Sequence, residues 1–329
     1  MKPKKKITSQ KLIKRIIIII SCLTATLLII APTIIIYNVV NGHINYLGYT
    51  TEDHPLQDIY KPDDFGLNTT EQYLTTNDGL SIWTSEIFVE NPKAVVIYLS
   101  GIQQPSVTYF YGHSRWLCNN GYASILLEAR GHGQSEGNQV CLGYKEVADV
   151  QATVDYIKSQ NKYNDVPIFI HGVSMGGAIA VNAFGQIPDI DGLIAMSAYS
   201  SFEEVVYETM LNYKIPKFLC MLEKPLIKLN LNLFFGQAAE ELSPINQVKN
   251  IGDRPAFFIA STGDTEVPPE NMNRLLKAAP EHCERWLKDS WEHFIVNDCD
   301  FANMEQDTEY CDRIMNFMEK AVNEIKTTD

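Results

Sequence analysis

The sequence predicts an α/β protein: a mostly parallel central sheet flanked by helices, with a helical cap insertion ahead of its last strands. Three observations predict it. Short runs at 94–99, 123–127, 168–173, 193–198 and 256–260 are apolar at nearly every position, and strands apolar on both faces belong to parallel sheets covered on both sides. Segments of helical character separate most of those runs, as such a sheet requires. Directly behind the third run stands Gly172-Val173-Ser174-Met175-Gly176, of the form Gly-x-Ser-x-Gly, and the small residues Gly177-Ala178 open the helix that follows.

Taken in order, the chain opens with a basic segment, residues 1–15. Lys2, Lys4, Lys5, Lys6, Lys11, Lys14 and Arg15 lie there, and the first acid in the chain is Glu52. Residues 16–40 form an uncharged apolar run beginning with five isoleucines. It is long enough to cross a hydrocarbon core, which takes about 20 residues. The basic flank predicts a cytoplasmic N-terminus, and so a single-pass cell-membrane protein whose body lies outside the cytoplasm. Pro32 kinks or weakens such a span without forbidding it. Two processing signals compete with the anchor. A cleaved signal peptide would have a shorter apolar core and a clean Ala-x-Ala site. The segment Ile19-Ile20-Ser21-Cys22 resembles a lipobox, which would leave a very short apolar stretch before Cys22 and an apolar tail after it.

Residues 41–70 read as a polar tether and lead-in, and 71–329 as the folded domain. A hairpin of strands 71–75 and 80–89 turns at Asn77-Asp78-Gly79, where glycine supplies a positive φ. Strand 94–99 precedes a helical stretch around 114–119, and strand 123–127 precedes a helix over 144–160. Strand 168–173 leads into the helix after Ser174. Strand 256–260, a helix over 269–279, a last strand at 285–288 and a closing helix over 307–326 complete the domain. That helix puts Tyr310, Ile314, Phe317, Met318 and Val322 on one face. Residues 201–243 break the rhythm, with no strand-like run and many large apolar residues, and read as a helical cap over the sheet's C-terminal edge.

Composition excludes some functions. Of 27 basic residues, 20 lie beyond the basic segment, against 40 acidic ones, a net of −20 for the body. Such a body repels nucleic acid and anionic headgroups. The six cysteines outside the apolar run (Cys118, Cys141, Cys220, Cys283, Cys299 and Cys311) show no metal-ligand spacing, and either disulfides or free thiols suit them. No metal or cofactor is expected, and protein partners are not legible.

A serine on a sharp strand-to-helix turn is held strained with its hydroxyl presented to a reactant. Ser174 needs a histidine to take its proton and a carboxylate to orient that ring. The chain order for this architecture is serine, acid, histidine. Asp264 follows strand 256–260 directly, where strand ends deliver functional groups, with Glu266 as the alternative. His293 follows the last strand. His282 comes too early, His43 borders the membrane run, His54 lies in the tether, His171 reads as structural, and His132 belongs to a Gly-rich turn. Two main-chain donors must hold the developing oxyanion. They are expected at Met175, beside the nucleophile, and at Ile102, in the turn after strand 94–99.

These motifs together resemble the α/β-hydrolase superfamily, and within it the monoglyceride-lipase and lysophospholipase-like serine hydrolases. Glu128-Ala129-Arg130-Gly131-His132-Gly133-Gln134-Ser135 is similar to that family's (Asp/Glu)-x-Arg-Gly-His-Gly-x-Ser turn, a structural element there. Residues 172–177 resemble its elbow, 243–268 its acid segment and His293 its last loop. The resemblance implies the α/β-hydrolase fold and cleavage of carboxylic esters through an acyl-serine intermediate. An apolar cap at a bilayer favours an acyl-chain substrate such as a monoglyceride or lysolipid. A thioesterase or peptidase would use the same atoms, and a non-catalytic hydrolase-fold binding protein is the rival class. Related dehalogenases and epoxide hydrolases carry aspartate where this chain has Ser174. One departure stands out: the family usually has His-Gly where this chain has Ser100-Gly101. The donors there are main-chain, so the oxyanion site can survive the change.

Overall fold

The structure is a computed structural model and describes residues 9–44, 58–236, 241–296 and 301–328. Its strands are β1 (Thr70–Thr75), β2 (Ser81–Ile87), β3 (Val95–Leu99), β4 (Ala123–Leu127), β5 (Ile168–Val173), β6 (Gly192–Met196), β7 (Ala256–Ser261) and β8 (Glu284–Lys288). They form one sheet in the order β1-β2-β4-β3-β5-β6-β7-β8. β2 pairs antiparallel with β1 and β4, and every other pair is parallel. The predominantly apolar strands are the fully buried ones: β3, β4, β5, β6 and β7 are buried at every residue. Edge strand β1 alternates between exposed and half-buried.

The two-residue period of a strand sorts the core into two layers. Val95, Ile97 and Leu99 of β3 face one core cluster, while Val96 and Tyr98 face the other. The first is closed by α3 (Val147–Ser159), α4 (Met175–Gln186) and α8 (Glu270–Ala278), the second by α2 (Tyr111–Asn119) and α9 (Thr308–Thr328). Tyr310, Ile314, Phe317, Met318 and Val322 of α9 are all buried, so the face read from their spacing is the packed face.

Two boundaries differ from the sequence expectation for identifiable reasons. α3 begins at Val147 rather than 144 because the Glu146 carboxylate accepts the amides of Cys141 (2.7 Å), Gly143 (2.9 Å) and Lys145 (3.3 Å), folding 141–145 into a turn. β6 ends at Met196 rather than 198 because Ser197 turns out of the strand with φ 47°.

Between β6 and α7 (Pro244–Gln247) lie two helices, α5 (Phe202–Asn212) and α6 (Lys217–Phe235), packed on each other. Helix α1 (Ser9–Val40) runs unbroken through Pro32 and packs against α6. It is the one helix among the described residues long and apolar enough to cross a membrane. Its last turns are not free. Ile36 and Val40 are fully buried in the first core cluster. Residues 40–44 are bonded to the Gly-rich loop 130–140 through Val140 N to Val40 O (2.8 Å), Ile44 N to Gly131 O (2.7 Å) and Gly133 N to Ile44 O (2.7 Å). His54 lies outside the described residues.

That loop is held by charge. Arg130, buried, bonds Asp149 of α3 (2.7 and 2.9 Å) and Asp78 of the β1–β2 turn (2.6 and 3.0 Å). Replacing Asp149 by leucine strands a buried guanidinium with half its partners and is expected to cost about 3–5 kcal/mol in urea unfolding. Glu305→Gln, which breaks the more open pair with Arg115, should change stability by less than about 1 kcal/mol.

Candidate active site

The site begins where β5 meets α4. Ser174 sits between them at φ 57° and ψ −120°, and α4 starts one residue later. A side chain in that region of φ/ψ is strained by about 1–3 kcal/mol and persists only where the surroundings enforce it. Here the enforcement is backbone proximity. A Cβ on Gly172 would stand 2.0 Å from the Gly176 carbonyl oxygen, and one on Gly176 would stand 2.3 Å from that of Leu99. The two glycines of the pentapeptide are thus what let strand, turn and helix approach so closely. Ser174 N donates to Met196 O at 2.9 Å, tying the turn to β6.

Asp264 and His293 come together at the neighbouring strand ends. Asp264 follows β7, and its Oδ2 lies 2.7 Å from His293 Nδ1. Its Oδ1 accepts the amides of Glu266 (2.9 Å) and Val267 (3.0 Å), which fixes the carboxylate plane. A carboxylate on Nδ1 selects the tautomer whose Nε2 lone pair is available as a base. Both side chains are buried. Glu266, the alternative acid, is exposed and approaches the other ring nitrogen, Nε2, at 3.9 Å.

Ser174, Ile102 and Glu266 line one pocket of about 620 Å³, together with Tyr199, Phe202, Val205, Thr209, Asn212, Tyr213, Thr265 and Val267. Helix α5 is therefore a wall of the cavity that the serine faces. The Ser174 hydroxyl makes no hydrogen bond among the described residues, and catalytic hydrogen bonds are often long before a substrate is bound. The N–H groups of Ile102 and Met175 donate to no carbonyl among the described residues, leaving both donors available to an anion.

Burial by itself would lower the pKa of His293. The hydrogen bond and charge of Asp264, with a smaller contribution from Glu266, outweigh it and hold the ring above its ordinary value. His171 shows the opposite case: without a carboxylate, burial pushes it down to about 3, consistent with a structural role packed beside Tyr98 and Phe110.

Several supporting residues carry no sequence signature. The histidine loop is pinned by three carbonyls: Ser261 Oγ donates to Glu292 O (2.6 Å), Ser197 Oγ to His293 O (2.6 Å) and Lys288 Nζ to Ile295 O (2.8 Å). Lys288 also pairs with buried Asp307 at 2.5 Å. The turn after β3 has its own brace. Gly101 N donates to Gln104 Oε1 at 2.9 Å, and Tyr109 OH donates to the same oxygen at 2.5 Å. Gln104 and Tyr109 support the turn that begins with Ser100-Gly101 here.

The comparisons with known proteins agree with this architecture. The profile of the family described as serine aminopeptidase, S33, matches residues 90–233, less than half of the chain. The protein YqkD of Bacillus subtilis is 27% identical over 176 residues, 53% of this chain and 56% of that protein. Monoglyceride lipase of Mus musculus is 36% identical over 96 residues, 26% of this chain and 31% of the lipase. The chain thus spans about half the length of the first relative and under a third of the second. The solved Pyrococcus furiosus esterase Pf2001 superposes with a TM-score of 0.65 over 85% of this chain and 98% of that one, at 21% identity. Fold and sequence likeness together give the chain the α/β-hydrolase fold.

With His293 as the expected base, only its neutral ring can accept a proton from Ser174, so any hydrolase activity should fall as pH drops through the pKa of His293. With that pKa raised, the acid limb of kcat/KM is expected above the usual imidazole value of about 6.5. Glu266→Gln removes one of the raising charges and should move the limb to lower pH, by less than about one unit because the carboxylate is exposed, with the plateau rate nearly unchanged. A limb that stays in place would mean that Glu266 has no hold on the ring.

Proposed function

We propose that the chain is a serine hydrolase of carboxylic esters, acting on acyl-chain substrates such as monoglycerides or lysolipids through an acyl-serine intermediate. The observation that carries this reading is the Asp264–His293 pair at 2.7 Å beside a pocket that also holds the strained Ser174. In this mechanism His293 Nε2 takes the proton of Ser174 Oγ as the oxygen attacks the ester carbonyl. The N–H groups of Met175 and Ile102 hold the tetrahedral oxyanion. His293 then returns the proton to the departing alkoxide, and water repeats the sequence on the acyl-enzyme. Asp264 orients the ring and stabilises the imidazolium.

The substrate class rests on the pocket and on the relatives. Tyr199, Phe202, Val205 and Val267 give the cavity an apolar side suited to an acyl chain, with α5 and α6 as the cap above it. A monoglyceride lipase and an esterase stand among the similar proteins. A peptide substrate is the second reading, favoured by the name of the matching family, serine aminopeptidase. Helix α1 is the membrane anchor in this proposal, with the N-terminus in the cytoplasm and the body outside.

A fluorophosphonate probe should label the wild-type chain and leave Ser174→Ala unlabelled. A folded wild type that resists the probe would favour a non-catalytic binding protein. Asp264→Asn is expected to lower kcat by about 10⁴ with the fold intact. Across p-nitrophenyl esters of increasing acyl length, kcat/KM should rise from acetate toward medium chains, and a preference for acetate would count against lipid substrates. Protease added to intact cells should digest the body, and protection would reverse the orientation.

A further inference from the structure

Helix α6 carries an apolar stripe that the protein itself leaves uncovered. Phe218, Leu222, Pro225, Leu229 and Leu233 recur every three or four residues and are all exposed, Leu233 at 75%. The opposite side of the same helix, with Cys220, Glu223, Ile227 and Leu231, is buried. A continuous apolar stripe of this kind marks a surface that meets something other than water. Lys217, Lys224 and Lys228, seven and four residues apart, fall along one flank of it. On that flank Lys224 pairs with Glu204 of α5.

The position of α1 says what covers the stripe. α1 packs directly on α6, with Pro32, Ile36 and Val40 buried and the turns before them exposed. A span beginning after Arg15, the last basic residue of the leading segment, needs about 20 residues at about 1.5 Å each. The hydrocarbon core therefore ends near Ile35, where α1 meets the domain. The helix lying against α1 at that level is at the membrane boundary.

We propose that α6 lies in the headgroup–acyl boundary of the bilayer that α1 crosses, with its apolar stripe in lipid and its lysine flank among the phosphates, the arrangement of an interfacial amphipathic helix. This rests on the reading of α1 as a membrane span. Tyr213, in the turn between α5 and α6, is 79% exposed and also lines the pocket of Ser174. The pocket mouth thus adjoins the lipid surface, and a lipid ester can pass from the leaflet along the cap without crossing water.

The test uses the full-length chain in vesicles of phosphatidylcholine and phosphatidylglycerol, with lipids brominated in the upper acyl chain as quenchers of tryptophan. Single variants Leu229→Trp and Leu233→Trp report on the stripe, both at exposed positions that tolerate the larger side chain. Ile18→Trp reports on α1, and Lys320→Trp on α9, which covers the opposite face of the sheet from α1. Quenching is measured beyond that of the four native tryptophans. The expected result is quenching at 229 and 233 comparable with that at 18, and none at 320. Quenching at 18 with silence at both 229 and 233 overturns the proposal and leaves the anchor standing, and a second copy seated on the stripe would give this result. Silence at 18 overturns the anchor itself and this proposal with it.

Discussion

The close approach of three backbone segments at the Ser174 turn is the constraint on which the rest of the site depends. Gly176 brings the first turn of α4 against the carbonyls of Leu99 and Ser100, at the end of β3. The same contact sets the distance between the serine and the turn that carries Ile102. A side chain at Gly176 would push the two apart and move the proposed nucleophile relative to its oxyanion donor. The backbone strain at Ser174 and the absence of a Cβ at Gly172 and Gly176 are two sides of one packing solution. Geometry that must be held within a fraction of an ångström is assigned here to main chain, which has fewer ways to relax than a side chain.

The neighbouring strand ends use a different device. The loops after β7 and β8 are irregular and need external support. They receive it from short polar side chains on adjacent strands and from one buried ion pair. Ser197 and Ser261 each hold a carbonyl of the histidine loop, and Lys288, neutralised by Asp307, holds a third. The parallel sheet makes this possible, because β6, β7 and β8 end side by side at the edge where His293 is needed. Its imidazole is buried, and the charge of Asp264 keeps it basic in surroundings that would otherwise suppress protonation. The balance of burial against a fixed carboxylate separates His293 from His171, two buried histidines.

The strands were legible in the sequence because burial on both faces leaves a continuous apolar run, and Ser174 and Asp264 stood out because each lies just past such a run. Residues that act at long range were not. Ser197 and Ser261 are isolated serines whose partners lie 96 and 31 positions away, and no local pattern marks such a pair. The start of α3 was misplaced because Glu146 spends its carboxylate on three preceding amides, a choice that helical periodicity does not register. The packed side of α1 was hidden for the opposite reason. Its residues are apolar almost all round, so no periodicity distinguishes the flank that meets α6 from the flank that does not.

The burial of Ile36 and Val40 has a consequence for how the proposed membrane-held form can be deployed. Many membrane-held ectodomains hang on a pliant stalk that a sheddase can cut, releasing a working enzyme into the medium. Here the last turns of the helix are part of the globule, and residues 41–44 are stitched to its loop. A cut after Val40 would leave that apolar helix end lodged in the domain, while a cut ahead of Ile36 would export a greasy stub. In the proposed anchored form, soluble release is therefore disfavoured.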